Sequence, residues 1–203
     1  MKVELILCGS FGENCYIAGN DKEVFVVDPG DDAKVIIAAI AEREVKYILN
    51  THCHIDHIGA VNELRKKYAK AKFCIHEAEK SMLKNPSENL SSFMGQAITL
   101  DDADMLLKDG DELDFAGDKI KVIHTPGHTK GGVSFLYKDA LFSGDTLFNM
   151  SIGRTDFPGG SYEQIINSIL TKLMVLPDET KVYPGHMEVT TIGFEKKRNP
   201  FLK

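Results

Sequence analysis

The sequence predicts an α/β fold built from two halves, each laying a sheet under helices. Two observations predict it. Short apolar runs of strand length alternate with segments whose apolar residues step by three and four, and this succession of strands and helices occurs twice along the chain. A third observation bounds the size: 203 residues are enough for one large domain or two small ones, with a sizeable core in either case.

Taken in order, Val3–Leu7, Asn14–Ala18 and Val24–Val27 read as strands separated by Gly and Asn/Asp turns, which predicts an antiparallel opening. Asp31 or Asp32 can cap a helix running through Glu42, with Val35, Ile36, Ala39, Ile40 and Arg43 on its inner face. Tyr47–Leu49 is a buried strand. Ile58, Val61, Leu64 and Tyr68 again step by three and four, while Glu63, Arg65, Lys66 and Lys67 face outward, so an amphipathic helix follows. Phe73–Ile75 is the next strand. Residues 77–108 are the least regular part, with a helical start over Glu77–Lys84 stopped by Pro86, and are expected to form a mobile or helical insertion roofing the site. Strands return at Glu112–Phe115, Lys119–His124, Val133–Tyr137 and Ala140–Phe142. A helix from Tyr162 to Met174 buries Ile165, Ile166, Ile169, Leu170 and Leu173, and Lys181–Tyr183 is the last strand. There is no internal repeat, low-complexity tract or linker.

Composition excludes several classes of function. Apolar residues make up 43% and charged residues 27%, the balance of a folded globular chain. The count of 24 Lys plus Arg against 30 Asp plus Glu gives a net charge of −6, the opposite of the excess that grips a phosphate backbone, so no nucleic acid partner is expected. Apolar runs such as Ile36–Ala41 fall far short of the roughly 20 residues of a membrane span. The first eight residues place Glu4 inside their apolar stretch and read as a strand, not a signal segment. Cys8, Cys15, Cys53 and Cys74 show no Cys-x-x-Cys spacing, which fits reduced thiols and a cytoplasmic location. Oligomeric state has no sequence signal.

The chemistry is concentrated in Thr51-His52-Cys53-His54-Ile55-Asp56-His57, where a strand ends and a helix begins. In an extended segment residues two apart point the same way, so His52 and His54 can converge on one point while Asp56 and His57 turn toward another as the helix starts. That pattern suits two adjacent metals. Three His and one Asp in a single loop would be a costly concentration of polar groups unless something paired them. His128 in Thr-Pro-Gly-His-Thr, Asp145 in Ser-Gly-Asp-Thr and His186 in Pro-Gly-His each follow a strand on a glycine-containing loop and are further candidate ligands. His76 and His124 have no such company and are read as structural. Cys53 alternates away from His52 and His54 and is expected to pack inward.

With these residues in view, the sequence closely resembles the metallo-β-lactamase fold superfamily, whose His-x-His-x-Asp-His signature reads from His52 to His57. The resemblance spans almost the whole chain and implies a single domain over 1–203, a four-layer αβ/βα sandwich of the metallo-β-lactamase type. It further implies that His52, His54 and His128 hold one metal, that Asp56, His57 and His186 hold the second, and that Asp145 bridges them. Within the superfamily, Ile152-Gly153-Arg154-Thr155-Asp156-Phe157-Pro158-Gly159-Gly160 and the tail from Thr190 to Leu202 resemble the short bacterial glyoxalase II-type hydrolases, which split hydroxyacylglutathione thioesters. The chain ends at Lys203 without the helical C-terminal domain of the larger relatives. Glu188 stands where those commonly carry Tyr, and Met187-Glu188 replaces the usual Gly-Pro after the histidine.

The expected function is therefore a binuclear metal-dependent hydrolase cleaving a thioester such as S-D-lactoylglutathione. Two neighbouring cations can hold a hydroxide between them at neutral pH and polarise the carbonyl. Zinc is the expected metal, with iron and manganese as alternatives, since imidazole and carboxylate shells suit all three. Asp56 and Asp145 are the expected catalytic carboxylates, Asp56 accepting or orienting the hydroxide proton. A thiolate leaving group, whose conjugate acid has a pKa of roughly 8.5, needs little help from a general acid. Arg154 is a candidate for binding a substrate carboxylate, with bracing of its own loop through Asp156 as the equal alternative. Asp28 is a candidate for orienting a ligand histidine, with a turn or cap role nearly level. The other functional readings are hydrolysis of a lactone or another ester, and a mononuclear iron-dependent persulfide dioxygenase that would use His52, His128 and Asp145 alone. The partner expected is a small molecule.

Overall fold

The computed structural model describes residues 1–203. The chain divides into two compact units, Met1–Leu107 and Lys108–Lys203, each with one six-stranded sheet. Mixed sheets with helices in both halves agree with the α/β class read from the sequence.

In the N-terminal unit the strands follow chain order across the sheet: β1 (Lys2–Cys8), β2 (Glu13–Gly19), β3 (Glu23–Val27), β4 (Glu44–Leu49), β5 (Lys72–His76) and β6 (Met105–Leu107). The first three pair antiparallel, as the short Gly- and Asn-rich turns predict, and the last four pair parallel through helical crossovers. Every residue of β2 is buried, which is why Asn14–Ala18 reads as a continuous run without polar alternation. The first helix, α1 (Ala33–Ile40), buries Ala33, Ile36 and Ile40. Val35, expected on that face, is 51% exposed because it lies one residue, about 100°, off the i, i+3, i+7 row that Ala33 starts. The helix also stops two residues short of Glu42. Ala41 takes a left-handed φ of 55°, and Arg43 donates from Nε to the Ile40 carbonyl and from Nη2 to the Ala39 carbonyl, occupying the oxygens that another turn would use.

The expected helix from Ile58 to Tyr68 begins earlier and breaks once, as α2 (Ile55–Ile58) and α3 (Val61–Lys67), with Ile58, Val61 and Leu64 buried as predicted. Residues 77–108 contain two 3-10 turns, Glu77–Leu83 and Ser91–Met94, and end in β6, a strand that the sequence reading did not anticipate. This segment is tied to the structure beside it. Asn89 donates from its amide to the carbonyls of Met82 and Ile98, both at 3.0 Å, and its own carbonyl accepts the Ile55 N–H at 2.9 Å, at the start of α2. Fixing one buried asparagine therefore fixes the segment against the helix that carries Asp56 and His57.

In the C-terminal unit the strand order is β14-β13-β10-β9-β8-β7, comprising β7 (Glu112–Phe115), β8 (Asp118–His124), β9 (Val133–Tyr137), β10 (Ala140–Gly144), β13 (Lys181–Pro184) and β14 (Thr190–Thr191). Strands β10 and β13 run parallel; the other pairs are antiparallel. A separate two-stranded hairpin, β11 (Leu147–Phe148) with β12 (Ser151–Ile152), follows β10 directly. The predicted Tyr162–Met174 helix is α4 (Tyr162–Ser168), capped by the Ser161 hydroxyl, continued by a π-helical turn over Ile169–Leu173. Ile165, Ile169 and Leu173 form its buried row, while Leu170 is exposed. The tail forms α5 (Ile192–Arg198). Its buried Glu195 accepts from Met150 N at 3.0 Å, the Thr190 hydroxyl at 2.6 Å and the Asn199 amide at 2.8 Å, so the tail motif fastens the β11–β12 hairpin. No helix is long and apolar enough to cross a membrane.

Candidate metal centre

Strand β4 delivers the chain to Asn50, and the following loop is buried through Thr51, His52, Cys53 and His54. His54 keeps an extended backbone, φ −71° and ψ 152°, before α2 begins. His52 and His54 consequently lie on one side, ring centroids 4.7 Å apart and edge-on. Cys53 points the other way into the core, and its main-chain N–H donates to the buried Glu79 carboxylate at 2.9 Å. Asp56 and His57 occupy the first turn of α2, with Asp56 Oδ2 3.8 Å from His57 Nε2 and the His57 ring 4.1 Å from that of His52. All four predicted ligands of this unit therefore meet.

Asp28 organises them. It sits at the end of β3 in a left-handed conformation, φ 48°, fully buried. Its Oδ1 accepts Thr51 N at 2.7 Å and the Asn50 amide at 3.3 Å, while Oδ2 accepts the Thr51 hydroxyl at 2.6 Å and faces His57 Nδ1 at 3.1 Å. Counting protons assigns the His52 tautomer. The Thr51 hydroxyl gives its hydrogen to Asp28, so at 3.2 Å it can only accept from His52 Nδ1. His52 then presents Nε2 as a ligand atom. His57 Nδ1 faces the Asp28 carboxylate, whose negative charge favours a proton on that nitrogen. Its contacts express both roles weighed for Asp28: it holds the Asn50–Thr51 turn and it faces the His57 ring. The buried Glu13 carboxylate, 3.8 Å from His57 Nδ1, was missed by the sequence reading; at the head of an apolar strand it carries no motif of its own.

In the C-terminal unit His128 follows the tight turn at Gly127, whose φ of 138° and contact with the Ile165 backbone leave no room for a side chain. His128 Nδ1 donates to the Arg154 carbonyl at 2.7 Å, again freeing Nε2. Asp145 Oδ2 is 3.5 Å from His128 Nε2 and 3.7 Å from His186 Nε2, so one carboxylate oxygen stands within reach of both imidazoles. The Phe148 ring lies edge-on to His186 at 6.1 Å. A Cβ on Gly153 would collide with the Asp145 carbonyl oxygen. The Gly153→Ala variant is accordingly expected to lose about 1–3 kcal/mol of stability and to bind less metal, as read by thermal unfolding and elemental analysis of the purified protein.

Arg154 braces its loop. Nε and Nη2 donate to the two oxygens of Asp156, each at 2.7 Å, and the guanidinium lies 3.9 Å over the Phe157 ring. Arg154 holds the Asp156 carboxyl down to about 2, so the pair is intact at neutral pH and is lost only as acid approaches that value. The two histidines read as structural serve the backbone: His76 Nδ1 accepts the Ala78 N–H, and His124 Nε2 donates to the Lys130 carbonyl.

All four cysteines are free and buried. Burial pushes the Cys15 and Cys53 thiols well above their ordinary value and that of Cys74 to about 12. A disulfide-exchange label at neutral pH should leave these three unmodified in the native protein and mark all of them after unfolding, as checked by peptide mass spectrometry.

Imidazole nitrogens backed by fixed partners on their far side, interleaved with carboxylates, form a donor set suited to divalent metal ions. The family model for the metallo-beta-lactamase superfamily matches residues 8–186. The chain belongs to the metallo-β-lactamase superfamily. Among its curated members, the hydroxyacylglutathione hydrolase GloC of Haemophilus influenzae is 37% identical, the match covering 100% of this chain and 98% of that one. Among solved members, the BLEG-1 B3 metallo-β-lactamase superposes with a TM-score of 0.95 at 40% identity over the full length of both chains. TTHA1623 in a di-iron-bound form superposes with a TM-score of 0.87 at 32% identity, covering 98% of this chain and 100% of that one. The protein is thus a metallo-hydrolase of the metallo-β-lactamase superfamily, with the fold that the signature implied.

Proposed function

We propose that the protein is a binuclear hydrolase of thioesters of the hydroxyacylglutathione type, working as one domain over 1–203. In this reading His52, His54 and His128 bind one cation, Asp56, His57 and His186 bind the other, and Asp145 is shared. The observation that carries it is Asp145 Oδ2, poised between His128 and His186, the imidazoles assigned to different cations. The di-iron form of TTHA1623 and the name of GloC support it, the first for metal count and the second for substrate. Zinc is the proposed metal, and four buried free thiols support a reducing compartment, the cytoplasm.

Two divalent cations would supply a nucleophile from water at neutral pH and polarise the thioester carbonyl. The chain's own groups do the rest. The Arg154 carbonyl holds His128 in one tautomer, and the Asp28 carboxylate faces His57 Nδ1 and steadies that ring by charge. Asp56, on the first turn of α2 and about one-fifth exposed, accepts the proton of the attacking water. The departing thiolate leaves without an acid. The Arg154 fork is available to a substrate carboxylate by exchange with Asp156, whose side chain is exposed.

The test is steady-state hydrolysis of S-D-lactoylglutathione beside a lactone, a β-lactam and a phosphodiester, on protein whose zinc, iron and manganese have been measured. A thioester preference that disappears on chelation and returns with metal is expected. Oxygen-consuming turnover of glutathione persulfide with one iron per chain would replace this reading by the mononuclear one.

A further inference from the structure

The loop that carries His52 and His54 is held from one side by the segment 77–98, which contributes none of the seven candidate ligands. The Cys53 N–H donates to Glu79 Oε2 and the Ile55 N–H donates to the Asn89 carbonyl, each at 2.9 Å. These N–H groups belong to the two peptide links that directly follow the candidate ligand histidines. A planar peptide pinned through its N–H fixes ψ of the residue before it. The two bonds therefore set the directions in which the His52 and His54 side chains leave the backbone, and their rings stand edge-on with centroids 4.7 Å apart.

The two acceptors differ in kind. Asn89 offers a main-chain oxygen, which any residue there would supply. Glu79 offers a side chain from the 3-10 turn Glu77–Leu83, and it is only 1% exposed. A carboxylate is costly to bury without compensating contacts, and packing does not call for one here, since Met82 and Leu83 are the residues by which this turn joins the apolar core. The turn is itself anchored, His76 Nδ1 accepting the Ala78 N–H at 3.3 Å. We infer that Glu79 is a positioning residue of the metal centre: it preorganises the His52–His54 pair through the Cys53 peptide. Ordering a loop on binding subtracts from affinity, and a loop ordered beforehand escapes that loss. The inference rests on the assignment of His52 and His54 to one cation and extends it to a residue outside the ligand set.

The experiment makes three measurements on the full chain: zinc affinity by competition with a chromogenic chelator, the d–d spectrum of cobalt(II)-loaded protein, and amide exchange at Cys53 and Ile55 in metal-free protein. In the wild type both amides are expected to be protected. Glu79→Ala is expected to expose the Cys53 amide, to weaken zinc binding by about 10- to 100-fold and to alter the cobalt spectrum. Glu79→Gln keeps an oxygen acceptor for the Cys53 N–H and is expected to restore the amide protection and most of the affinity. Glu77→Gln removes a charge from the exposed side of the same turn and is expected to change none of the three. An unprotected Cys53 amide in the wild type overturns the inference without recourse to a variant, so a Glu79→Ala chain that fails to fold does not shelter it. Wild-type affinity and spectrum in Glu79→Ala, a Glu79→Gln no better than Glu79→Ala, or an equal loss in Glu77→Gln also overturns it. Protein that behaves as expected on all three measurements but cleaves no thioester overturns the thioester reading and leaves Glu79 in its role. Wild-type protein that binds no zinc overturns both.

Discussion

Asp145→Ala is expected to lower kcat/KM for S-D-lactoylglutathione by about three orders of magnitude, the upper range for removing one group that stabilises developing charge, and to lower the metal content of the purified protein. Asp145 is the only carboxylate in the C-terminal unit placed between two of the predicted ligand histidines, at 3.5 and 3.7 Å. Its removal leaves His128 and His186 with no common anion, so the loss should appear in elemental analysis as well as in rate. Asp145→Asn keeps the shape and one oxygen but removes the charge, and is expected to fall between wild type and Ala on both readouts. A variant that kept full activity and full metal would sink the shared-ligand assignment.

Asp28→Ala is the second large effect, and it is expected chiefly in stability. The side chain accepts three buried hydrogen bonds, from the Thr51 N–H, the Thr51 hydroxyl and the Asn50 amide, and faces the buried His57 ring. Leaving such groups unsatisfied costs about 1–3 kcal/mol each, so a loss of at least about 3 kcal/mol is expected, measured by denaturant unfolding of the metal-free protein. Metal affinity should fall by about 10- to 100-fold, the usual scale for removing an outer partner of ligand histidines. Measuring the metal-free protein separates the two consequences. Asp28→Asn retains an acceptor for Thr51 and is expected to recover part of the stability but less of the metal affinity.

The clustering of His52, His54, Asp56 and His57 and most of the longer strands were legible in the sequence because both depend on local pattern. Alternation alone placed His52 and His54 on one side and Cys53 on the other, and the centroid distance and core position agree. What it could not reveal depends on partners distant in the chain. Glu13 and Glu79 are buried carboxylates serving the histidine loop from 44 and 26 residues away, and neither belongs to a recognisable spacing. Strand β6 is three residues long and exists because β5 offers it an edge, so Met105–Leu107 alone has too little period to declare itself. The end of α1 is decided by the Arg43 side chain reaching back to two carbonyls, which propensity does not encode. In the sequence alone Arg154 suits two roles equally, because a guanidinium two residues from an aspartate satisfies either; the bidentate pair with Asp156 fills one of them.

The Arg154 carbonyl, not its guanidinium, steadies His128. A main-chain oxygen survives every side-chain replacement, so losing the Arg154 guanidinium would release Asp156 and the Phe157 ring while the imidazole keeps its proton on the same nitrogen. Bracing of the loop and orientation of the imidazole are thereby separated within a single residue, one carried by its side chain and the other by its backbone.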